Sequence, residues 1–151
     1  MLTERFSKRV HELYHDERVV AFLPVAALAI DYTLTFFFAG SRETLLLYEA
    51  SPLLRFAVAN DLVLLSVAAL MAFYYLASYL VLNLLAGSDL YPVGVTLICL
   101  VSLTHLLGGM SWYFRSSLYS STVVGLSLIS ILVAVLIFGY TVLRKHPRVP
   151  G

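Results

Sequence analysis

The sequence predicts an all-α fold: an integral membrane four-helix bundle with an N-terminal amphipathic surface helix. Three observations carry that reading. Of the 151 residues, 60% are hydrophobic and 13% charged, with a mean hydropathy of +0.88, well above what the core of a soluble domain this size requires. The apolar residues gather in four runs, each able at about 1.5 Å per residue to cross roughly 30 Å of hydrocarbon. The charges, prolines and several glycines lie mostly between the runs or at the chain ends.

Composition also removes function classes. Ten Lys+Arg nearly balance nine Asp+Glu, and no basic block stands out, so a nucleic-acid partner is not expected. The single Cys99 lies in an apolar run, which excludes an intrachain disulfide and a multi-cysteine metal site. The sequence asks for no cofactor, and the lipid bilayer is the one partner it requires.

Residues 1–18 read as a cytoplasmic amphipathic helix, with Leu2, Phe6, Val10 and Leu13 on one stripe and Thr3 as a capping residue. Within it, His11-Glu12-Leu13-Tyr14-His15 matches the H-E-x-x-H pattern of zinc proteases, which sets two histidines on one helical face with a glutamate as base. No third ligand follows at a recognised spacing, and the more economical reading is a solvated polar face.

Residues 19–143 form a single transmembrane domain with spans at about 19–40, 62–86, 92–114 and 118–143. The first carries Pro24 and Asp31 and is preceded by 18 residues of mixed charge, which marks it as an uncleaved span rather than a signal peptide. The segment 41–60 is too short and too charged to cross. It is expected to form one or two interfacial turns broken near Pro52. Gly87-Ser-Asp-Leu-Tyr-Pro92 reads as a tight turn, and residues 144–151 as a basic tail.

Seven cationic residues (Arg5, Lys8, Arg9, Arg18, Arg144, Lys145 and Arg148) flank the side that holds both termini, against Arg42, Arg55 and Arg115 opposite. That asymmetry predicts a multi-pass cell-membrane protein with cytoplasmic termini.

Asp31 is the residue that demands explanation, because a carboxylate deep in a span costs roughly 2.5–3.5 kcal/mol on insertion scales. It lies about 18 Å past Val19, and His105 lies about 20 Å past Pro92 on a span running the same way. Tyr74 and Ser130 fall near that depth on the returning spans. Aligning Pro24 with Pro92 instead, a separation of 68 positions suggested by the weak echo Pro24-Val25…Ile30…Gly40 and Pro92-Val93…Ile98…Gly108, would part Asp31 and His105 by about 9 Å. Asp31, Thr35, His105, Tyr74 and Ser130 are therefore candidate ion- or substrate-binding residues. Glu49 and Asp61 form a rim at the mouth, where solvation alone also explains them.

At Asp31-x-x-x-Thr35 and Glu49-x-Ser51-Pro52, the chain resembles a family of small prokaryotic multi-span membrane proteins of unknown function. Their first span carries Asp-x-x-x-Thr, and the loop behind it carries Glu-x-Asn-Pro. Ser51 stands where that family has Asn, and the resemblance covers about residues 25–60. His105-Leu-Leu-Gly-Gly-Met110 also looks like the His-Leu-x-x-Asn-Met segment of rhomboid proteases. Gly109 replaces the Asn, four spans replace six, and no membrane histidine follows Ser127.

Three functions remain open on this reading. The first is binding or transport of a proton, cation or small substrate at the intramembrane polar site. The second is an accessory or assembly role in which the polar layer only fixes packing, and the third is a small membrane enzyme, metal-dependent or hydrolytic. The balance leans away from an enzyme. Four helices enclose little interior, so a pathway between protomers of a homodimer is expected.

Overall fold

The computed structural model describes residues 9–144, which are helical apart from short connections, with no strand among them. Residues 9–14 are helical and end at a turn at His15. Then come α1 (Glu17–Ala39), α2 (Arg42–Tyr48), α3 (Pro52–Ala59), α4 (Val63–Leu85), α5 (Tyr91–Phe114) and α6 (Ser117–Arg144). Four of these, α1, α4, α5 and α6, contain stretches long and apolar enough to cross a membrane. Leu2, Thr3 and Phe6 of the expected surface helix, and Lys145 and Arg148 of the tail, lie outside the described residues.

Local chemistry sets the boundaries. Asp16 starts α1 by accepting the backbone N–H groups of Arg18 at 3.0 Å and Val19 at 3.4 Å, two donors that the helix itself leaves unpaired. Gly40, at φ 71°, stops it in the left-handed conformation that a residue without Cβ adopts at no cost. Ser41 and Ser51 cap α2 and α3 through the N–H groups of Thr44 and Leu54, and Pro52 occupies the first turn of α3, where its missing N–H costs nothing. The segment 41–60 is thus two short helices hinged at residues 49–51.

Packing is centred on α1 and α5, which lie side by side and run in parallel. Two hydrogen bonds record their register: Tyr91 Oη donates to the Tyr14 carbonyl at 3.0 Å, and Arg115 Nη2 donates to the Phe38 carbonyl at 3.2 Å, each across 77 positions. Helix α4 returns against α1 and, more lightly, α5, while α6 packs along α5. The four long helices therefore do not share one interior equally. Outward residues of α4 and α6 such as Leu64 and Leu118 are 84% and 78% exposed in the isolated chain.

Glycine permits the central contact. A Cβ on Gly109 would lie 2.9 Å from Asp31 Cα and 3.0 Å from its carbonyl oxygen, so the backbones meet where only hydrogen fits between them. On either side of this crossing lies an apolar cluster. One contains Val20, Ala21, Leu82, Leu85, Tyr91, Val95 and Ile98. The other joins Ala39, Leu45, Leu54 and Val58, with Tyr32, Val63 and Trp112 against it. The hydroxyls of Thr33, Thr96, Ser102, Thr104, Thr122 and Ser130 donate to carbonyls of their own helices at 2.7–2.9 Å, which lets polar side chains sit in apolar surroundings without a partner elsewhere.

Candidate functional site

Asp31 stands at the crossing, between the two apolar clusters. Its Oδ2 lies 2.9 Å from Nδ1 of His105, across 74 positions of sequence, and the two side chains are 19% and 20% exposed. The depth count from the start of each span brings these residues to one level. The proline alignment does not describe the packing, since the observed register is 74–77 rather than 68. An N–H at Nδ1 donates to the carboxylate in either the neutral or the cationic imidazole, so one geometry serves both charge states.

Three neighbours complete the centre. Thr35, one turn along α1 and 3% exposed, places Oγ1 3.4 Å from Asp31 Oδ1. Tyr74 of α4 meets the His105 ring edge-on, with centroids 5.0 Å apart and planes at 88°. Gly108 leaves room over the carboxylate, because a Cβ there would touch both oxygens at 3.5 and 3.6 Å. Asp31, Thr35, His105 and Tyr74, drawn from three helices, thus come together.

Glu49 adjoins this group from the hinge between α2 and α3. Its Oε1 accepts the Ser51 N–H at 2.7 Å, and the residue is partly buried. Burial pushes its carboxyl above the ordinary value; the Ser51 N–H and the Trp112 side chain oppose that rise, and the charge of Asp31 adds to it. Tyr32 interacts electrostatically with both Asp31 and Glu49. Of the two candidates at the mouth, Glu49 is half-buried in the turn that follows Tyr48, the last residue of α2, whereas Asp61 is exposed.

The remaining candidates are elsewhere. Asp61, whose side chain is 80% exposed, pairs with Arg42 at 2.7 Å, and Arg42 also donates to the Ala59 carbonyl. Ser130 is 1% exposed but donates to the Leu126 carbonyl at 2.8 Å. It does not join the central layer, because the register of α6 along α5 carries it past the level of His105. Tyr119, early in α6, reaches the Leu107 carbonyl at 3.0 Å, and Ser130 lies eleven residues, about 16 Å, further along the helix. His11 and His15 lie ring to ring, with centroids 4.5 Å apart, and His15 stacks on Tyr91 at 5.7 Å. Among the described residues no three His, Cys, Asp or Glu side chains, Glu12 included, form a group able to hold a metal.

Tyr32 and Trp112 were not legible as site residues. Tyr32 follows Asp31 directly, and Trp112 lies two turns beyond His105, a spacing that a search for polar aromatics around each ionisable residue would have found. Comparison with protein-family models, with curated proteins and with solved structures gives no match for this chain.

Proposed function

We propose that the chain is an integral membrane protein whose Asp31–His105 pair binds a proton or small cation and carries it across the bilayer. The observation behind this reading is the 2.9 Å contact between a carboxylate and an imidazole at the centre of helices long and apolar enough to span. Ionisable side chains in such positions commonly mark ion or proton pathways. An imidazole bonded to a carboxylate can hold or release a proton with little change of geometry. The two stretches behind the resemblance, Asp31–Thr35 and Glu49–Pro52, flank one region, which supports treating them as parts of one site.

Cytoplasmic termini follow from the distribution of Lys and Arg. The packing of α6 on α5 alone leaves room for a second copy, in keeping with a homodimer. Asp31→Asn keeps the shape and removes the charge. In proteoliposomes it is expected to abolish proton or cation flux while the oligomer elutes unchanged, and wild-type flux from that variant would refute the reading.

A second reading has its own observation. The backbone contact at Gly109 is what a packing device requires, so the pair would serve only to lock α1 against α5 in an accessory protein. Under that reading Asp31→Asn lowers stability and leaves any partner complex without flux to lose.

A further inference from the structure

We infer that the cleft between the end of α1 and the start of α4 binds a phospholipid whose headgroup carries a phosphate and a primary ammonium. The inference rests on the membrane reading of the chain and is independent of what the Asp31–His105 pair does. The cleft has a volume of about 320 Å³ and is lined by Phe36 of α1, Leu45 of α2, Val58 of α3 and Val63 of α4, with Arg42 and Asp61 among its polar members. Leu45 and Val58 are 4% and 5% exposed and make its apolar wall. Arg42 and Asp61, whose side chains are 46% and 80% exposed, stand at its mouth. Because α1 ends at Ala39 and α4 starts at Val63, the cleft would lie at the headgroup layer of a bilayer, with hydrocarbon on one side and water on the other.

The turn at the mouth carries a carboxylate that closing the chain does not require. Asp61 adopts φ 59°, and the Leu62 N–H after it returns to the Ala57 carbonyl at 2.8 Å, the left-handed ending that glycine completes most easily. Gly40 fills the corresponding place after α1. A residue held in that conformation despite its Cβ points to a use for its side chain. Arg42 supplies the opposite charge: its Nη1 donates to Asp61 Oδ1 at 2.7 Å and its Nη2 to the Ala59 carbonyl at 2.9 Å. An ion pair this exposed adds little to stability, so both groups can turn to a ligand cheaply. The 23-residue α4 also begins at Leu62 without a side-chain cap, which leaves the N–H groups and positive end of its first turn, Val63 included, to water or to an anion.

The headgroup chemistry follows from this pairing of charges. Arg42 has five N–H donors in a planar fork and uses two of them in the bonds above, so others remain for a phosphate beside the start of α4. Asp61 accepts N–H bonds from a primary ammonium, which a quaternary ammonium has no hydrogens to make. A headgroup with negative charge alone would meet Asp61 as a like charge. The acyl chains leave past Phe36 and Val63, toward the hydrocarbon.

The test uses the full chain in nanodiscs of equal parts phosphatidylethanolamine, phosphatidylcholine and phosphatidylglycerol, with the lipid that stays bound on extraction identified by native mass spectrometry. The wild type is expected to retain the primary-amine lipid at least about tenfold over either of the others. Asp61→Asn keeps a residue that tolerates the left-handed turn but removes the charge, and is expected to lose that preference. Arg42→Gln is expected to reduce retention of all three lipids. No preference in the wild type, or one that survives in Asp61→Asn, overturns the site. Variants that lower the unfolding temperature with lipid retention unchanged reduce Arg42 and Asp61 to a clasp and overturn it as well. Equal protection from unfolding by free phosphoethanolamine and by the lipid overturns the lipid as the ligand's source. Loss of flux in Asp31→Asn is read separately and stands whatever these results, whereas a chain that does not enter nanodiscs at all overturns the membrane reading itself.

Discussion

At residues 11–15 two histidines and a glutamate follow one another along a single helical turn, whereas Asp31 and His105 reach each other from segments 74 positions apart. The first arrangement matches a known ligand pattern, yet it lies on exposed residues. There one ring stacks on Tyr91, and no third ligand from the described residues completes it. The second matches no short pattern but places a carboxylate and an imidazole in contact, each about four-fifths covered. Spacing along one helix fixes only which side chains share a face. Enclosure, which makes an unpaired charge expensive, requires a second and a third element.

The largest effect that would sharpen this contrast concerns the crossing that encloses the pair. Gly109→Ala gains at most about 1 kcal/mol of helix propensity but drives a methyl into the Asp31 backbone, which cannot rotate aside. A net loss of about 1–3 kcal/mol is expected in thermal unfolding of the detergent-solubilised protein. Gly125, where a Cβ would meet nothing within 4 Å, supplies the control, since its alanine variant should be neutral or slightly stabilised. Equal losses at both glycines would break the argument for a close crossing.

Next in size is the pair itself. His105→Ala leaves Asp31 largely covered and without its imidazole, with an expected loss of about 1–3 kcal/mol. A double-mutant cycle with Asp31→Asn should return a coupling of about 0.5–3 kcal/mol. Additivity of the two single changes would show that the 2.9 Å contact is energetically idle.

The smallest effects belong to the N-terminal turn. His11→Ala should shift stability by no more than about 0.5 kcal/mol, and His15→Ala by about 0.5 kcal/mol through its stack on Tyr91. Elemental analysis of the purified protein is expected to find no stoichiometric zinc. Zinc at one equivalent, lost in His11→Ala, would reverse the comparison and make the local pattern the site.

Much of the helical layout was legible because it depends on composition along the chain. The four apolar runs and the break near Pro52 are each written in a few consecutive residues, whereas the cap at Asp16 interrupts what reads as one helix over residues 1–18. The site was legible in part. Asp31 and His105 could be brought to one depth by counting residues, because a helix rises by a constant amount per residue. Ser130 was assigned to the same layer by an equivalent count and does not reach it. The count depended on where α6 sits along α5, and the Tyr119–Leu107 bond sets that register so that Ser130 lies about 13 Å from the level of His105. Glu49 was read as rim because its loop is charged. It is half-buried, and its carboxylate accepts a backbone N–H two residues later.

The sequence by itself determined that this chain is helical, where its long apolar helices begin and end, and that one carboxylate would need an answer inside the first of them. Only the tertiary structure decided the answer. Glycine at position 109 lets α5 approach α1 closely enough for His105 to meet Asp31, and the turn at residues 49–51 half-buries a second carboxylate. Neither follows from periodicity, because helical periodicity describes one helix at a time and the approach of two depends on the side chains both place at their crossing.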